Sequence, residues 1–133
     1  MELTRRCDYA LRMLRAIYRQ GDACRSVAQI AEEENIPYSF ARGIQHELVR
    51  SGLVCSTRGA GGGVQLCCDL DEITIRDIFE IVQGPVSIAA CSADPTSCGN
   101  ALGCGFNKVW RGADKLLNDY LASITLGQVL KDG

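Results

Sequence analysis

Apolar side chains recur every three or four positions along most of this chain, which is the period of helices that bury one face. The first stripe comprises Leu3, Cys7, Ala10, Leu14 and Ile17. It predicts a helix from about Thr4 to Arg19, which stops near Gly21 because glycine favours helix ends. Further stripes are separated by turn residues, so the pattern predicts a mainly helical chain.

Two shorter helices are predicted next, and together they resemble a helix-turn-helix unit. Ser26 and Gln29 have the spacing of a capping box, in which the side chains and backbone amides of a helix start bond each other reciprocally. Pro37 suits the first turn of the following helix. The inward face of that helix is expected to carry Phe40, Ile44 and Leu48. Any pair of amphipathic helices shares this pattern, so the assignment also depends on the segment after the second helix.

A glycine-rich hairpin is predicted directly after the helix pair. The segments 53–57 and 64–66 alternate as short strands, and the sequence RGAGGG at positions 58–63 forms the tip between them. A nucleotide-binding phosphate loop is excluded here, because no Lys-Ser/Thr pair follows and a strand stands where that loop requires a helix. A helix-turn-helix followed by such a hairpin is a winged helix.

The winged helix predicts which side chains would meet DNA. In helix-turn-helix proteins the second helix normally enters the major groove. Its exposed face here comprises Tyr38, Ser39, Arg42 and Gln45 or His46, which can contact base edges or phosphates. At the hairpin tip, Gly59 and Gly61 allow a close approach to a backbone, and Arg58 can enter a minor groove or meet a phosphate. Arg42 and Arg58 are the leading candidates.

Two more helical patterns complete the fold prediction. Thr74 caps a helix that ends at Gly84-Pro85. A long apolar stripe then comprises Phe106, Val109, Trp110, Ala113, Leu116, Leu117, Tyr120, Leu121 and Ile124. Packing on its own domain could cover this stripe, but a two-fold dimer seam is favoured because dimers match palindromic operators. We therefore predict a winged helix at residues 1–84, a cysteine loop at 85–105, and a dimerisation helix with a tail at 106–133.

Charge is distributed unevenly along the chain, which changes what the formal net charge of −2 implies. Residues 1–66 carry nine Arg and no Lys against seven acidic residues, whereas residues 67–133 carry five basic and nine acidic residues. Only the first half could face phosphates. No apolar run reaches the roughly 18 residues that span a bilayer, and the mixed-charge start is unlike a secretory signal. We therefore expect a cytoplasmic protein with no membrane association.

Three of the eight cysteines, Cys91, Cys98 and Cys104, share one glycine-rich loop. Thiolates suit iron–sulfur clusters, zinc or copper(I), although the spacing departs from common zinc modules and from ferredoxins. A disulfide scaffold is the alternative, which the absence of a secretory signal disfavours. Cys7, Cys55 and Cys67 are expected to be buried as small hydrophobic residues. The pattern does not indicate a role for Cys24 or Cys68.

The chain resembles the Rrf-two family of winged-helix regulators, which includes iron–sulfur cluster regulators and nitric-oxide-sensitive repressors. The resemblance runs through the segments 3–4, 8–12, 30–31, 53–54 and 58–63, the three-cysteine loop, and the terminal ITLG at 124–127. The RGxGGG hairpin followed by three cysteines is its most specific part. It implies a homodimeric DNA-binding regulator whose operator is a palindromic DNA duplex. Repression is the favoured role.

The same resemblance implies a cofactor and its ligands. Cys91, Cys98 and Cys104 would ligate an iron–sulfur cluster, with [4Fe–4S] favoured and [2Fe–2S] as the alternative. The cluster-regulator branch has a histidine where this chain has Asn107, so Asp8 of the opposite subunit is the expected fourth ligand, as in the nitric-oxide branch. The cluster would then sense nitric oxide, redox state or iron–sulfur status. Alternatively, Asp8 only favours the start of the first helix through the helix dipole.

Two other function classes compete with a cluster-sensing regulator. A redox enzyme or electron carrier leaves the reading helix and hairpin unexplained, and the chain shows no nucleophile–base pair, so we expect no enzymatic activity. A cluster-free regulator that senses redox state through its thiols explains the same helices and hairpin. An anaerobic absorption spectrum would separate these classes, because only a cluster absorbs in the visible range.

Overall fold

The structure, a computed structural model, describes all 133 residues and consists of seven α-helices, a 3-10 turn and one β-hairpin. The first half contains α1 (Arg5–Arg19), α2 (Val27–Glu33), α3 (Tyr38–Arg50), β1 (Val54–Thr57) and β2 (Gly63–Leu66). The second half contains α4 (Ile75–Val82), α5 (Ala90–Ala93), the 3-10 turn (Pro95–Ser97), α6 (Gly105–Ala122) and α7 (Leu126–Asp132). The predicted order of helix, helix pair, hairpin and helix is confirmed.

Polar caps define where these helices begin. The Thr4 side chain accepts a hydrogen bond from the Cys7 amide at 3.1 Å, so Thr4 is the cap residue and α1 begins at Arg5. Ser26 and Gln29 form the expected capping box at α2. The same reciprocal arrangement is found at Thr74 before α4 and at Thr125 before α7. Each cap satisfies amide groups that a helix start otherwise leaves unpaired.

One hydrophobic core lies between α1, α2, α3, the hairpin, α4 and α7. Its fully buried side chains include Met13, Leu14, Ile30, Ile44, Leu48, Leu53, Ile78 and Leu126. Phe40 was expected in this core but is 43% exposed, and its ring meets the Tyr9 ring edge-on at 5.8 Å. Ala41 is buried instead, because positions 41, 44 and 48 share the inward face of α3.

The hairpin is a two-stranded antiparallel sheet with Val54 opposite Leu66 and Thr57 opposite Gly63. Arg25, just before α2, also pairs with Val64 as an isolated bridge. The backbone of Arg25 lies so close to Gly63 that an added Cβ would collide with it. Glycine is therefore required where the hairpin meets the helix pair, and the predicted wing is fixed against α2.

Two cysteines of the hairpin differ from the sequence-based expectation. Cys55 and Cys67 are exposed and form a disulfide, whereas both were expected to be buried. Strand alternation gives the reason, since Val54 and Val64 take the inward positions and turn Cys55 outward. Cys67 follows β2 on the same face and lies one diagonal step away from Cys55.

The end of the chain is a second finding that the pattern did not predict. Residues 106–133 were expected to form one helix and a tail, but α6 ends at Ala122 and the tail forms α7. Leu126 and Leu130 of α7 are buried in the core. The amides of Leu126 and Gly127 donate to the carbonyls of Ile73 and Leu70 at 2.7 and 2.9 Å. The chain end therefore packs beside the start of α4.

None of the seven helices is both long and apolar enough to cross a lipid bilayer.

Candidate nucleic-acid interface and cysteine loop

The structure brings four of the six predicted DNA-contacting residues of α3 and the wing, Tyr38, Arg42, Arg58 and Gly59, to one cleft of about 490 Å³. From α3 the cleft is lined by Tyr38, Arg42, Gln45 and His46, and from the wing by Ser56, Thr57, Arg58 and Gly59. Ser39 is exposed at the start of α3 and Gly61 at the hairpin tip, and neither lines the cleft. Gly59 and Gly61 have φ of +95° and +78°, the left-handed region that favours glycine.

The charge of this cleft is uniformly basic. No Asp or Glu lines it. Arg42 and Arg58 are exposed and have no carboxylate within 4 Å, whereas Arg6, Arg12 and Arg25 are paired with acidic residues. Two unpaired guanidinium groups on facing walls can therefore meet phosphates or base edges without first losing a partner.

The helix α3 is held against α1 by a charged contact. Arg6 donates from Nη2 to Glu47 Oε2 at 2.6 Å, and this partly buried ion pair joins α1 to α3. The guanidinium also lies beside Gly43, where a Cβ would be 3.6 Å from Arg6 Nη1. This charge-assisted pair is a directional contact between α1 and α3.

The cysteine loop lies between α4 and α6 and is attached to α6 through polar side chains. Asn107 donates to the Cys91 carbonyl at 3.0 Å, Asp114 accepts from the Ile88 amide at 2.7 Å, and Asn118 donates to the Val86 carbonyl at 2.8 Å. Asn107 and Asp114 are buried. Positions 107, 114 and 118 share one face of α6, so a polar stripe holds the segment 86–91 against the helix.

The three loop cysteines lie on different local elements. Cys91 is half-buried in α5, Cys104 is half-buried at the cap position of α6, and Cys98 is exposed after the 3-10 turn. In this turn the Asp94 carboxylate accepts from the hydroxyl and amide of Thr96, which lowers the pKa of Asp94. Three thiols in one loop have the donor chemistry of a cluster site. The structure does not gather them, with or without a carboxylate, into a group that could hold a metal ion.

Asp8 lies on α1, on the side of the molecule that faces α7. Its Oδ2 is 3.2 Å from Arg12 Nε, and half of its side chain is exposed. This pair is a charge contact without hydrogen-bond alignment, since Arg12 Nε has no hydrogen-bond acceptor. Asp8 and Arg12 line a cavity of about 370 Å³ with residues of α7. Asp8 as a cluster ligand stays a prediction, as do the three loop cysteines.

Two other cysteines are unsuited to bind a metal ion in the folded chain. Cys7 is fully buried, and burial together with the neighbouring Asp8 raises its pKa to about 11. The pKa of Cys68 is also raised, chiefly by burial, and its side chain packs against the core. Because metals bind the thiolate, a raised pKa disfavours both residues. Cys24 Sγ lies 3.8 Å from Thr57 Oγ1 at the edge of the wing.

These features agree with a family match over the same residues. The Rrf2 family, described as iron-dependent transcriptional regulators, matches residues 3–132. The chain belongs to the Rrf2 family. The family and the relative IscR are described as transcriptional regulators, which are not enzymes.

One Rrf2 relative is matched over only part of its length. An HTH-type transcriptional regulator IscR from Vibrio campbellii is 32% identical over 106 residues, which are 80% of this chain and 62% of that protein. The chain therefore matches less than two thirds of this relative.

Solved structures of Rrf2 regulators confirm the winged-helix fold. CymR of B. subtilis, described as a global cysteine regulator, has a TM-score of 0.79 at 24% identity. The match covers 100% of this chain and 98% of the CymR chain. The oxidised form of Staphylococcus aureus CymR has a TM-score of 0.74 at 27% identity. This match covers 98% of this chain and 96% of that CymR chain.

The sequence reasoning missed several residues that shape these sites. Asn107 was noted only as the replacement for a histidine, although it holds the loop to α6. Asp114 and Asn118 were not singled out at all. Their spacing of seven and eleven residues from Asn107 was visible in the sequence, as a polar stripe along one face of the predicted helix. Its partners are backbone groups, which carry no sequence signal.

Proposed function

We propose that this Rrf2 regulator binds duplex DNA through α3 and the wing, with Arg42 in the major groove and Arg58 on the backbone or in the minor groove. The observation that carries the proposal is the cleft without acidic residues, which places two unpaired arginines on facing walls. Tyr38 and Ser39 at the start of α3 would add contacts, and Gly59 and Gly61 would allow the tip to approach. A dimer would present two such clefts to a palindromic operator.

Selection from a random duplex library tests this function, because the operator sequence is not needed in advance. We expect enrichment of one sequence with two half-sites, bound more tightly than random DNA by at least about 10³-fold. Recovery of random sequence only, or binding that survives the double variant Arg42→Ala/Arg58→Ala unchanged, would contradict the proposed interface.

We further propose that the loop cysteines Cys91, Cys98 and Cys104 hold an iron–sulfur cluster, with Asp8 of the opposite subunit as fourth ligand and [4Fe–4S] as the favoured type. Such a cluster would react with nitric oxide or change its redox state. The chain's own residues would transmit the change, since Asn107 ties Cys91 to α6 and Arg6 ties α1 to α3. The consequence would be altered DNA affinity and repression in the cytoplasm.

Anaerobic purification tests the cluster proposal. We expect visible absorption and bound iron in the wild-type protein, and loss of both in Cys98→Ala, with Cys24→Ala as a control that keeps them. Asp8→Ala should keep three ligands and iron but change the spectrum. Iron content that is unaffected in Cys98→Ala would contradict the ligand set.

A cluster-free thiol sensor is the second candidate, and two observations favour it. The three loop thiols are not gathered into a ligand group. A disulfide is instead formed elsewhere, between Cys55 and Cys67. A colourless protein without iron, whose operator affinity changes on thiol oxidation, would support this candidate over the cluster.

A further inference from the structure

We infer that Cys55 and Cys67 form a modification site on the wing, a dithiol that low-molecular-weight disulfides oxidise reversibly. The two residues are bonded as a disulfide with Cα atoms 5.8 Å apart. Neither belongs to the loop at 91–104 nor lines the cleft between α3 and the wing. The chemistry of this site therefore stands apart from that of the cluster.

Exposure makes the pair accessible to small reagents in both oxidation states. Cys55 projects from β1 and Cys67 follows β2, and both side chains lie on the outer face of the hairpin. The neighbouring Cys68 lies in a bend after β2 and is less exposed than Cys67. Cys68 is half-buried and packs against the core, so it is a poor competitor for the same partner.

The reduced state of this pair is also accommodated by the fold. Cys67 Sγ lies 3.5 Å from the Gly52 carbonyl oxygen, to which the thiol can donate once the disulfide is opened. The Cys67 amide donates to the Leu53 carbonyl at 3.1 Å, and the strand pairing from Val54 to Thr57 involves backbone groups only. Reduction therefore leaves the hairpin hydrogen bonds in place.

The reaction is a two-step thiol–disulfide exchange. The thiolate of one cysteine attacks a sulfur of the small disulfide RSSR, forms a mixed disulfide and releases one RS⁻. The second cysteine then attacks the protein sulfur of that mixed disulfide, which forms the Cys55–Cys67 bond and releases the second RS⁻. The two protein thiols lose two protons and two electrons, and RSSR gains them to become two RSH. Excess RSH drives the reverse reaction.

The location of the pair links this chemistry to the wing tip, and this consequence rests on the proposed DNA binding. The disulfide joins residues 12 apart at the base of the hairpin, and the loop that it closes contains Arg58 and the glycines of the tip. A cross-link at the base limits splaying of the two strands. A wing that is ordered before binding loses less conformational freedom on DNA. The oxidised protein should therefore bind DNA more tightly.

The chemical test follows the two cysteines by peptide mass spectrometry. The reduced protein is equilibrated with glutathione at varied ratios of reduced to oxidised form, and the remaining thiols are trapped with N-ethylmaleimide. We expect Cys55 and Cys67 to become protected together in one reversible transition, in the wild type and in Cys68→Ser alike. In Cys55→Ser, Cys67 should stay free of any intramolecular disulfide. Free Cys55 and Cys67 at every ratio, or a bond from Cys67 to Cys68 or Cys24, would overturn the site.

The functional test compares the DNA affinity of the same oxidised and reduced samples. We expect oxidation to tighten operator binding by about 3- to 10-fold in the wild type and in Cys68→Ser, and to have no effect in Cys55→Ser. Equal or weaker binding by the oxidised protein would overturn the coupling. If neither state binds DNA, the proposed function fails, and the thiol transition measured by mass spectrometry still decides the modification site.

Discussion

At the scale of single residues, the environment of each cysteine decides what chemistry it can perform. Cys7 is completely buried and its pKa is raised to about 11, whereas Cys98 is exposed on the loop. The thiolate is the reactive form, so burial and protonation both protect Cys7. In reduced, metal-free protein at pH 8, we expect iodoacetamide to modify Cys98 at least about 100-fold faster than Cys7. Quenched time points analysed by mass spectrometry measure both rates, and equal rates would contradict the assignment.

The raised pKa of Cys7 also predicts how stability depends on pH. The folded thiol keeps its proton up to about pH 11, while the unfolded thiol loses it near its ordinary value of 9.0. Between these values the folded state binds more protons, so the free energy of unfolding falls as pH rises, by about 1.4 kcal/mol per pH unit from this group. Urea unfolding at pH 8.5 and 10.5 should show a steeper loss in the wild type than in Cys7→Ala. Parallel losses in the two proteins would remove Cys7 as the source.

Arg42 and Arg58 should contribute differently to DNA binding. Arg42 lies on α3, so Arg42→Ala should reduce discrimination between operator and random DNA by about 1–3 kcal/mol if it reads a base. Arg58 lies on the wing, so Arg58→Ala should weaken both complexes alike and lower the slope of log K against log salt by about one. Anisotropy titrations at several salt concentrations measure both effects. Equal losses on operator and random DNA for Arg42→Ala would reject base reading.

How far the sequence could predict these sites depends on what each residue interacts with. The positions of Arg42 and Arg58 beside one cleft could be predicted because helix periodicity and hairpin glycines place them without reference to the rest of the fold. Phe40 was misplaced because it lies at the edge of the apolar face of α3, whose buried positions are Ala41, Ile44 and Leu48. The Cys55–Cys67 pair requires the strand register, which sequence alone did not provide.

At the scale of the elements, α6 has an unusual division of its faces. Its two buried residues, Asn107 and Asp114, are polar and bind the backbone of the preceding loop. Several of its large apolar side chains are exposed instead, namely Phe106, Val109, Leu116 and Tyr120. The sequence predicted the apolar stripe correctly but could not show that polar groups hold the helix to its own chain. It also missed α7, whose seven residues are too few for a clear periodic pattern.

Asp114 and Asp119 provide a matched test of how the loop is attached to α6. Asp114 is buried and accepts from the Ile88 amide, so Asp114→Ala should lower the free energy of unfolding by about 1–3 kcal/mol by leaving that amide unpaired. Asp119 is exposed and pairs only with Lys115, so Asp119→Ala should cost about 0–1 kcal/mol. Urea unfolding of both variants at pH 7 measures the difference. Equal losses would mean that the contact with Ile88 does not hold the loop.

At the scale of the whole molecule, basic and apolar surfaces are separated. The acid-free cleft lies between α3 and the wing, while the exposed apolar side chains of α6 lie on an element that packs against α4 and α5. No residue of α6 lines the cleft, so the proposed dimer seam and the proposed DNA-contacting surface share no residues. The acidic second half of the chain would then not be required to face phosphates.

The structure selects one residue of the apolar stripe of α6 as a test of the predicted dimer. Leu117 belongs to that stripe but is half-buried against the core of its own chain, whereas Leu116 is 75% exposed. We therefore expect Leu116→Glu to give a folded monomer, because a dimer seam would have to desolvate the carboxylate. Lys115→Gln is the matched control, since it changes the charge by the same amount on an exposed neighbouring position. It should remain dimeric.

Sedimentation equilibrium with circular dichroism distinguishes loss of the dimer from loss of the fold. We expect unchanged helix content in both variants and half the mass in Leu116→Glu, with operator affinity reduced because one cleft then binds one half-site. Leu117→Glu should instead lose helix content, since its side chain contacts the core. A dimeric Leu116→Glu protein would show that the dimer seam does not include Leu116 and lies elsewhere. A wild-type protein that sediments as a monomer would remove the opposite subunit, and the proposed ligand Asp8 would then lose its basis.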